Sequence, residues 1–172
     1  LASASELRLD YDLTMLSPKK YFFPQRERLV QYETDDNGYE MVRDWSDDSR
    51  IIVGIHPYDL HAIEQLDRIF IDAQGDEPYR KKRENSILIG VTMQNVSEYS
   101  FAASMGTART DTGYDLFLTE LEDAYAIEIG SQDGSALLEA APTREANFEE
   151  VEAVEAQKAQ VESEFEKGIE FS

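Results

Sequence analysis

The sequence predicts an α+β fold with a mainly antiparallel sheet, a few packed helices and an acidic helix near the C-terminal end. Two observations lead to this class. Segments of strand length and segments with helical spacing are mixed, without a regular alternation of strand, helix and strand. Two pairs of strand-like segments are separated by short polar turns, as in antiparallel hairpins. With 172 residues, the chain is long enough for one such domain, or for one domain with an appendage.

The first strands follow from alternation and from a turn signal. Residues 6–16 (ELRLDYDLTML) alternate apolar and polar side chains, which predicts a half-buried strand. Asn37-Gly38 is a favourable hairpin turn, and it lies between extended segments at 30–33 and 39–42. The sequence therefore predicts one strand and then a two-stranded hairpin.

A buried strand and an amphipathic helix are predicted next. The continuous apolar run RIIVGI (50–55) has the length of a strand buried on both faces. Leu60, Ile63 and Phe70 recur at helical spacing and form one apolar stripe on the segment that follows. Residues 80–83 (RKKR) are the most concentrated basic stretch. We expect them to pair with the chain's own carboxylates, with a phosphate or an acidic partner as the alternative.

Three further elements are predicted before the C-terminal helix. Residues 86–93 (SILIGVTM) read as a second buried strand. Residues 114–121 and 124–130 form two strand-like runs around a short acidic turn, which predicts another hairpin. Residues 131–141 predict a turn and a short helix.

The composition changes after Pro142, where Ala, Glu and Gln become frequent and an acidic helix is predicted. Asn147 followed three residues later by Glu150 is a helix-start signal. We therefore divide the chain into an α+β domain at 1–142 and an acidic helical extension or linker at 143–172. A narrow apolar seam runs along the predicted helix. It consists of Phe148, Val151, Val154, Val161 and Phe165.

The composition excludes several classes of function. A net charge of −20 argues against binding nucleic-acid phosphates, which requires concentrated Lys and Arg. No apolar run approaches the ~20 residues of a membrane-spanning helix, so no membrane insertion and a soluble, cytoplasmic protein are expected. The absence of cysteine excludes disulfides, thiol nucleophiles and cysteine-ligated zinc or iron–sulfur clusters within these residues. We expect no cofactor in the chain.

The stretch GIHPYDLHAIEQLDRIF (54–70) is the strongest candidate for a metal site, because it contains His56, Asp59 and His61. However, the two histidines are the only ones in the chain, and a third strong ligand would have to come from elsewhere. The favoured interpretation is that His56 and Asp59 hydrogen-bond backbone groups at the helix start. Ser104 has no identifiable base partner, and no catalytic constellation is visible, so we expect no catalytic activity of its own.

Five phrases of the sequence occur in the order in which they occur in one known family. They are LRLDYDLTMLSPKKYFFPQRE, GIHPYDLHAIEQLDRIF, YRKKRENSILIGV, FAASMGT and GYDLFLTEL, and the match runs from Leu7 to about Gly134. Together they resemble the iron–sulfur beta subunits of cytoplasmic sulfhydrogenases and related NAD(P)-linked nickel–iron hydrogenases.

The resemblance implies an upstream domain that holds a four-iron cluster through four cysteines. On this sequence those cysteines fall on Tyr58, Met93, Ser100 and Ala102. None of these side chains supplies a thiolate, so we expect the frame without its cluster. We also expect Tyr58 to be buried against the segment 93–102. Neighbouring residues of the vacated site are His56, Asp59, Arg83, Ser104 and Met105.

Three functions are compatible with these features. The first is a non-catalytic structural subunit or domain of a redox complex that has lost the cluster of its family. The second is an electron-transfer subunit that conducts through four-iron clusters in a C-terminal ferredoxin module outside these residues. The third is an enzyme or small-ligand binder with a remodelled pocket around His56, Tyr58, Asp59 and Arg83. The resemblance implies partners similar to a nickel–iron hydrogenase pair and a flavin-containing diaphorase subunit.

Overall fold

The structure is a computed structural model that describes residues 6–35, 38–43 and 48–165. Its strands are β1 (Val30–Asp35), β2 (Gly38–Arg43), β3 (Arg50–Ile55), β4 (Ser86–Val91), β5 (Leu116–Glu120) and β6 (Tyr125–Ile129). Its helices are α1 (Pro57–Asp67), α2 (Glu77–Glu84), α3 (Gln132–Leu138) and α4 (Phe148–Ser163). A 3-10 turn covers Pro18–Tyr21, and a π-helix covers Arg68–Ala73. The α+β class is confirmed.

The larger sheet has the strand order β3-β4-β5-β6. β3 is parallel to β4 and β4 is parallel to β5, whereas β5 and β6 form the predicted antiparallel hairpin. This mixed sheet differs from the mainly antiparallel arrangement that was predicted. The reason is that α1, the π-helix and α2 lie between β3 and β4, and they return the chain to the starting end of the sheet.

The smaller sheet is the hairpin of β1 and β2, which pair from Val30 with Arg43 to Asp35 with Gly38. The predicted hairpin is confirmed, although Asn37 of its turn lies outside the described residues. The hairpin exposes much of its aromatic surface, since the side chains of Tyr32 and Tyr39 are 64% and 80% exposed. The two rings pack edge to face against each other.

The predicted strand at 6–16 is wrong, because no residue of that segment pairs in a sheet. Its alternation instead places two side chains against the start of α1. Leu9 is buried next to Gly54, and the Tyr11 ring stacks on the ring of His56. The alternation indicated burial only in part, since Leu7 and Leu13 are 37% and 46% exposed, and it did not show whether the backbone pairs with a strand.

The main core lies between the larger sheet and the helices that connect β3 to β4. The predicted apolar stripe of α1 is confirmed, since Leu60 and Ile63 are fully buried there. Gly90 of β4 allows close packing, because a Cβ atom at this position would lie 2.4 Å from Cδ2 of Phe117. The buried residues of the main core are Phe22, Ile55, Leu60, Ile63, Tyr79, Leu88 and Phe117.

The helical segment after α1 widens into the π-helix, where the N–H of Gln74 donates to the carbonyl of Ile69 at 3.1 Å. Phe70 and Ile71 are neighbours in sequence, and both pack against the main core. The Phe70 ring stacks between those of Phe23 and Tyr79, with centroid distances of 4.9 and 5.1 Å. The π-helix therefore adds aromatic packing to the core.

The two predicted buried strands differ in the structure. β4 is buried along almost its whole length, as predicted. β3 is an edge strand, and its Ile51 and Val53 are 51% and 38% exposed, so the prediction of full burial is wrong for this strand.

The expected ion pairs of the basic stretch at 80–83 are confirmed for two residues. Lys82 pairs with Glu27, and Arg83 pairs with Asp67.

The C-terminal part contains the predicted short helix α3 and the predicted acidic helix α4. Asn147 and Glu150 form a reciprocal capping box at the start of α4, as predicted. Only part of the predicted apolar seam is buried, because Val154 and Val161 contact the protein whereas Phe148 and Val151 are 75% and 51% exposed. α4 therefore packs on the domain through the face that carries Val154, Lys158 and Val161.

Candidate functional site

The candidate site begins at the corner where β3 ends and α1 starts. The pairing of β3 with β4 shifts between Val53 and Ile55, and Gly54 adopts a φ of 83°, which favours glycine. A Cβ atom at Gly54 would lie 3.0 Å from Cδ2 of Leu9. His56 is the N-cap residue of α1, and Pro57 occupies the first helical position, where proline is well accommodated. The corner is therefore fixed by local sequence and by close packing.

His56 is fully buried at this corner and contacts two phenol side chains. Its Nδ1 atom lies 2.8 Å from the hydroxyl oxygen of Tyr58. The Tyr11 ring stacks on the imidazole with a centroid distance of 4.0 Å, and the Tyr11 hydroxyl donates to the carbonyl of Gly54. The predicted role of His56 as a side-chain cap is wrong, because its imidazole makes no hydrogen bond to the helix backbone.

Burial determines the protonation of this corner. It lowers the pKa of His56 to about 4, with an opposing contribution from Asp12, so the imidazole is neutral at pH 7. Burial, followed by the charge of Asp59, raises the pKa of Tyr11 to about 12 and raises the pKa of Tyr58 as well. His56, Tyr11 and Tyr58 are thus all uncharged at neutral pH. Among the described residues, Nε2 of His56 has no hydrogen-bond partner.

The predicted role of Asp59 in backbone capping is also wrong, because its buried Oδ1 atom accepts a hydrogen bond from the Ser17 hydroxyl at 2.5 Å. Burial raises the pKa of the Asp59 carboxyl, while the hydrogen bond from Ser17 opposes the shift. His61 bonds elsewhere, with Nε2 at 2.7 Å from the carbonyl oxygen of Arg109. The described part of the chain contains no group of three or more His, Cys, Asp or Glu side chains suited to a metal ion.

Tyr58 connects this corner to a second packed region, which we call the site core. The site core consists of the buried residues Met93, Ala102, Ala108 and Val161. Tyr58 packs against it, together with Val96, Ala103 and Phe165. The structure therefore places Tyr58 next to a region that contains Met93 and Ala102, as expected, but Tyr58 itself is only partly buried there.

Helix α4 contributes two buried residues to the site, and sequence reasoning missed one of them. Val161 belongs to the site core, as its position in the apolar seam suggested. Lys158 is 6% exposed, and its Nζ atom lies 2.6 Å from Oε1 of Glu128 and 5.5 Å from the centroid of the Phe117 ring. The signal was present in the spacing, because Lys158 lies on the same helix face as Val154 and Val161.

Comparison with known proteins gives one informative match. Over 132 residues, which are 77% of this chain, the sequence is 33% identical to the sulfhydrogenase 2 subunit beta of Pyrococcus furiosus. This chain is a relative of that sulfhydrogenase beta subunit. The resemblance predicted from the five phrases is thereby confirmed. The match spans 38% of the length of the Pyrococcus subunit, so well under half of that protein is represented.

The other comparisons give no match. No protein-family model matches the chain, and no solved structure matches it. Within the residues that the structure describes, none of the helices has the length and apolar character needed to span a membrane.

The resemblance to sulfhydrogenase beta subunits assigns four positions to cluster ligands. These four positions do not all lie in the same part of the structure. Tyr58 meets the site core that contains Met93 and Ala102. Ser100 is partly buried in the same loop, and its N–H donates to the carbonyl of Ser97 at 2.9 Å. Three of the four positions are thus associated with one region, and the fourth lies in the adjacent turn.

The predicted neighbours of the site do not all lie at it. His56 and Asp59 are at the corner described above, and Ser104 is partly buried in the loop after Ala102. Met105 is 50% exposed. Arg83 is at a different place in the fold, since its guanidinium donates to Asp67 and lies 5.8 Å from the centroid of the Phe22 ring in the main core.

The side chains at the assigned positions do not fit a four-iron cluster. Clusters of this kind are held by thiolates, whereas here there are a phenol bonded to His56, a buried thioether, a hydroxyl and a methyl group. Space does not decide the question, because a crevice of about 10 Å³ beside Pro57 and a groove of about 460 Å³ along α4 both reach Met93 and Val161. The misfit lies in the chemistry of the side chains.

Proposed function

We propose that this chain is a structural subunit, or a structural part of a subunit, of a hydrogenase-like redox complex in the cytoplasm. It carries no iron–sulfur cluster at the site of Tyr58, Met93, Ser100 and Ala102, and it has no catalytic activity of its own. The relationship to a sulfhydrogenase beta subunit supports membership of a redox complex. Its partners are proposed to resemble a nickel–iron hydrogenase pair and a flavin-containing diaphorase subunit.

The observation that carries this proposal is the packing around Tyr58. A cluster would need thiolates, and none of the four assigned positions supplies one. Instead, apolar side chains from the loop and from α4 fill the region, and Met93 is only 2% exposed. Such packing contributes to stability, because close-packed apolar side chains are removed from water.

The proposal is tested by measuring iron in the chain after anaerobic reconstitution with iron and sulfide. We expect no stoichiometric iron and no broad absorbance near ~400 nm, because thiolate ligands are absent. A matched variant restores the ligands through the substitutions Tyr58→Cys, Met93→Cys, Ser100→Cys and Ala102→Cys. Stoichiometric iron in the unmodified chain, with the absorbance of a cluster, would refute the proposal.

Membership of a complex needs its own experiment. Native purification of the full-length protein from its own cells, followed by identification of stoichiometric partners, should recover hydrogenase-like and flavin-containing subunits. A protein that purifies alone and elutes as a free monomer at cellular concentration would count against a structural role in a complex.

A second function has one observation in its favour. The match represents 38% of the Pyrococcus subunit, so most of that subunit lies outside the comparison. An electron-transfer role through clusters outside the residues described here is therefore the alternative. Electron paramagnetic resonance of the purified complex, combined with the cysteine content of the full-length gene product, distinguishes the two functions. A ligand-binding role has little support, because the groove of about 460 Å³ beside Met93 and Val161 is lined mainly by α4 and by none of the proposed contacts His56, Tyr58, Asp59 and Arg83.

A further inference from the structure

Strand β6 forms one edge of the larger sheet, and three of its five residues do not bond to β5 through their backbone groups. Leu121 donates to the carbonyl of Ala124 at 2.8 Å, and Gly130 donates to the carbonyl of Asp115 at 2.9 Å. Antiparallel pairing alternates between bonded and non-bonded residues, so Ala126 and Glu128 bond to β5 as well. The N–H and C=O groups of Tyr125, Ile127 and Ile129 therefore point out of the sheet.

The three outward-pointing residues also share one face of the strand. Tyr125 is 46% exposed, Ile129 is 57% exposed, and Ile127 is partly buried between them. A groove with a volume of about 690 Å³ runs between this edge and the chain that leads from α3 into α4. Leu138 and Pro142 line its other side. The groove thus combines an apolar surface with a strand edge that is not paired by another strand in the described part of the chain.

Charge distinguishes the possible occupants. The positive group at the groove, Arg144, is neutralised by Glu150, whose Oε1 atom lies 2.5 Å from a guanidinium nitrogen. Glu145 also lines the groove, and Glu122 and Asp123 lie in the turn that leads from β5 into β6. With a chain charge of −20, the groove lies in a negative field that attracts a cationic occupant.

We infer that this groove binds an extended segment of a partner protein in which apolar residues alternate with Lys or Arg, adding to β6 as a fifth strand. Backbone hydrogen bonds would supply affinity, and the alternating side chains would supply specificity. The apolar residues would contact the face of Tyr125 and Ile129, while the basic residues would point towards the surrounding carboxylates. The inference does not rest on the proposed function, since it concerns a different part of the fold.

A second copy of the chain is a poorer occupant. Two chains that each carry a charge of −20 repel each other, and pairing β6 with its counterpart would bring acidic turns together. A small apolar ligand is also a poorer occupant, because it would fill the groove without pairing the backbone of Ile127. A basic, extended peptide satisfies the backbone, the apolar face and the charge together.

The experiment uses the full chain and a fluorescently labelled, acetylated peptide of alternating valine and lysine that is long enough to span β6. Anisotropy gives the dissociation constant, and amide hydrogen exchange locates the peptide. We expect saturable binding and slower exchange at Tyr125, Ile127 and Ile129. A valine–glutamate peptide tests charge, and a valine–lysine peptide with N-methylated alternate amides tests strand pairing.

Two exposed isoleucines provide matched variants, because they lie on opposite edge strands of the same sheet. Ile129→Lys should weaken binding by about tenfold or more, since it removes apolar contact and adds a repelling charge. Ile51→Lys on β3 should leave the dissociation constant unchanged. Ile51 is a suitable control because its side chain is 51% exposed, close to the 57% of Ile129. Circular dichroism of both variants checks that they are folded.

Several results would overturn the inference. These are absence of binding, equal binding of the N-methylated or the glutamate peptide, an Ile129→Lys variant with unchanged affinity, or protection of β6 through self-association without peptide. Iron content and complex membership are not measured in these experiments. A negative result for the groove therefore leaves the proposed function to its own tests.

Discussion

The main core and the site core are built in different ways. In the main core, side chains from β3, β4, β5 and α1 meet large aromatic residues such as Phe22 and Tyr79. In the site core, small residues such as Ala102 and Ala108 come from an irregular loop and are covered by Val161 of α4. One region is supported by a sheet on which several elements converge, and the other depends on a single helix.

This difference indicates where the domain would open first. Backbone groups of the main core are paired within the sheet, and its side chains are almost completely buried. The loop of the site core is held mainly by turns and by the second half of α4. Regions with fewer buried contacts open at lower free energy than the whole domain. We therefore expect hydrogen exchange around Met93 and Ala102 to be faster than in β4.

The largest contrast should come from truncating one residue in each region. Leu60→Ala in the main core should lower the free energy of unfolding by about 2–5 kcal/mol, because it leaves a cavity under the sheet. Val161→Ala in the site core should lower it by only about 1–2 kcal/mol. Urea denaturation followed by circular dichroism measures both values.

The part of the domain in which amide exchange accelerates is as informative as the loss of stability. Val161→Ala should accelerate amide exchange in the segment 93–108 and leave β4 protected, whereas Leu60→Ala should lower protection throughout the domain. Equal losses of stability, with uniform acceleration of exchange in both variants, would mean that the two regions form one cooperative unit.

The next largest effect should be a dependence on pH from His56. The folded pKa is about 4, below the ordinary value of 6.5, so the unfolded chain binds a proton that the folded chain excludes. The free energy of unfolding should therefore fall as pH drops from about 6.5 to about 4. The loss approaches about 3 kcal/mol, since each pKa unit corresponds to about 1.4 kcal/mol.

Urea denaturation at several pH values checks this dependence, with His56→Phe as the variant that keeps an aromatic ring against Tyr11. Asp59 acts in the opposite direction, because a raised folded pKa makes the protonated carboxyl favourable at low pH. Asp59→Asn removes that contribution and serves as the control. An unchanged pH slope in His56→Phe would show that another group titrates.

A smaller effect is expected at the anchor of α4. Lys158→Ala removes a nearly buried cation from Glu128 and a methylene chain from the surface of Phe117. Because the Glu128 side chain is 36% exposed, water screens the remaining charge, and the expected loss is about 1–2 kcal/mol. Lys158→Met keeps the packing and should lose less than Lys158→Ala.

A double-mutant cycle separates charge from packing at this anchor. Combining Lys158→Met with Glu128→Gln removes both charges, and the difference from the single variants gives their coupling energy. If Lys158→Ala and Lys158→Met lose the same stability, the methylene chain contributes nothing and the anchor is purely ionic.

Features governed by neighbouring residues could be predicted from the sequence. The two hairpins followed from short turns between strand-like runs, and the start of α4 followed from Asn147 and Glu150. The parallel direction of β3 and β4 could not be predicted in this way, because it depends on how the intervening helices return the chain. The alternation of residues 6–16 was informative about burial at Leu9 and Tyr11, but not about pairing.

Fewer contacts of the candidate site than of the fold could be predicted from the sequence. The proximity of Tyr58 to Met93 and Ala102 was expected only because the chain resembles a family. Local capping rules predicted the wrong partners for His56 and Asp59, since the observed partner Ser17 lies 42 residues before Asp59 and Tyr11 stacks on His56 from outside the helix. Long-range packing of this kind leaves no periodic signal in the sequence.

The π-helix after α1 has a consequence for comparing this chain with its relatives. Leu66, Phe70 and Ile71 all reach the main core, although Ile71 is five positions after Leu66. An ordinary α-helix would rotate one of these side chains towards solvent, whereas the wide turn absorbs one additional residue without changing the helical phase on either side. A relative whose helix lacks the wide turn should therefore align with a single-residue gap within Arg68–Ala73, and its apolar stripe should continue in register on both sides of that gap.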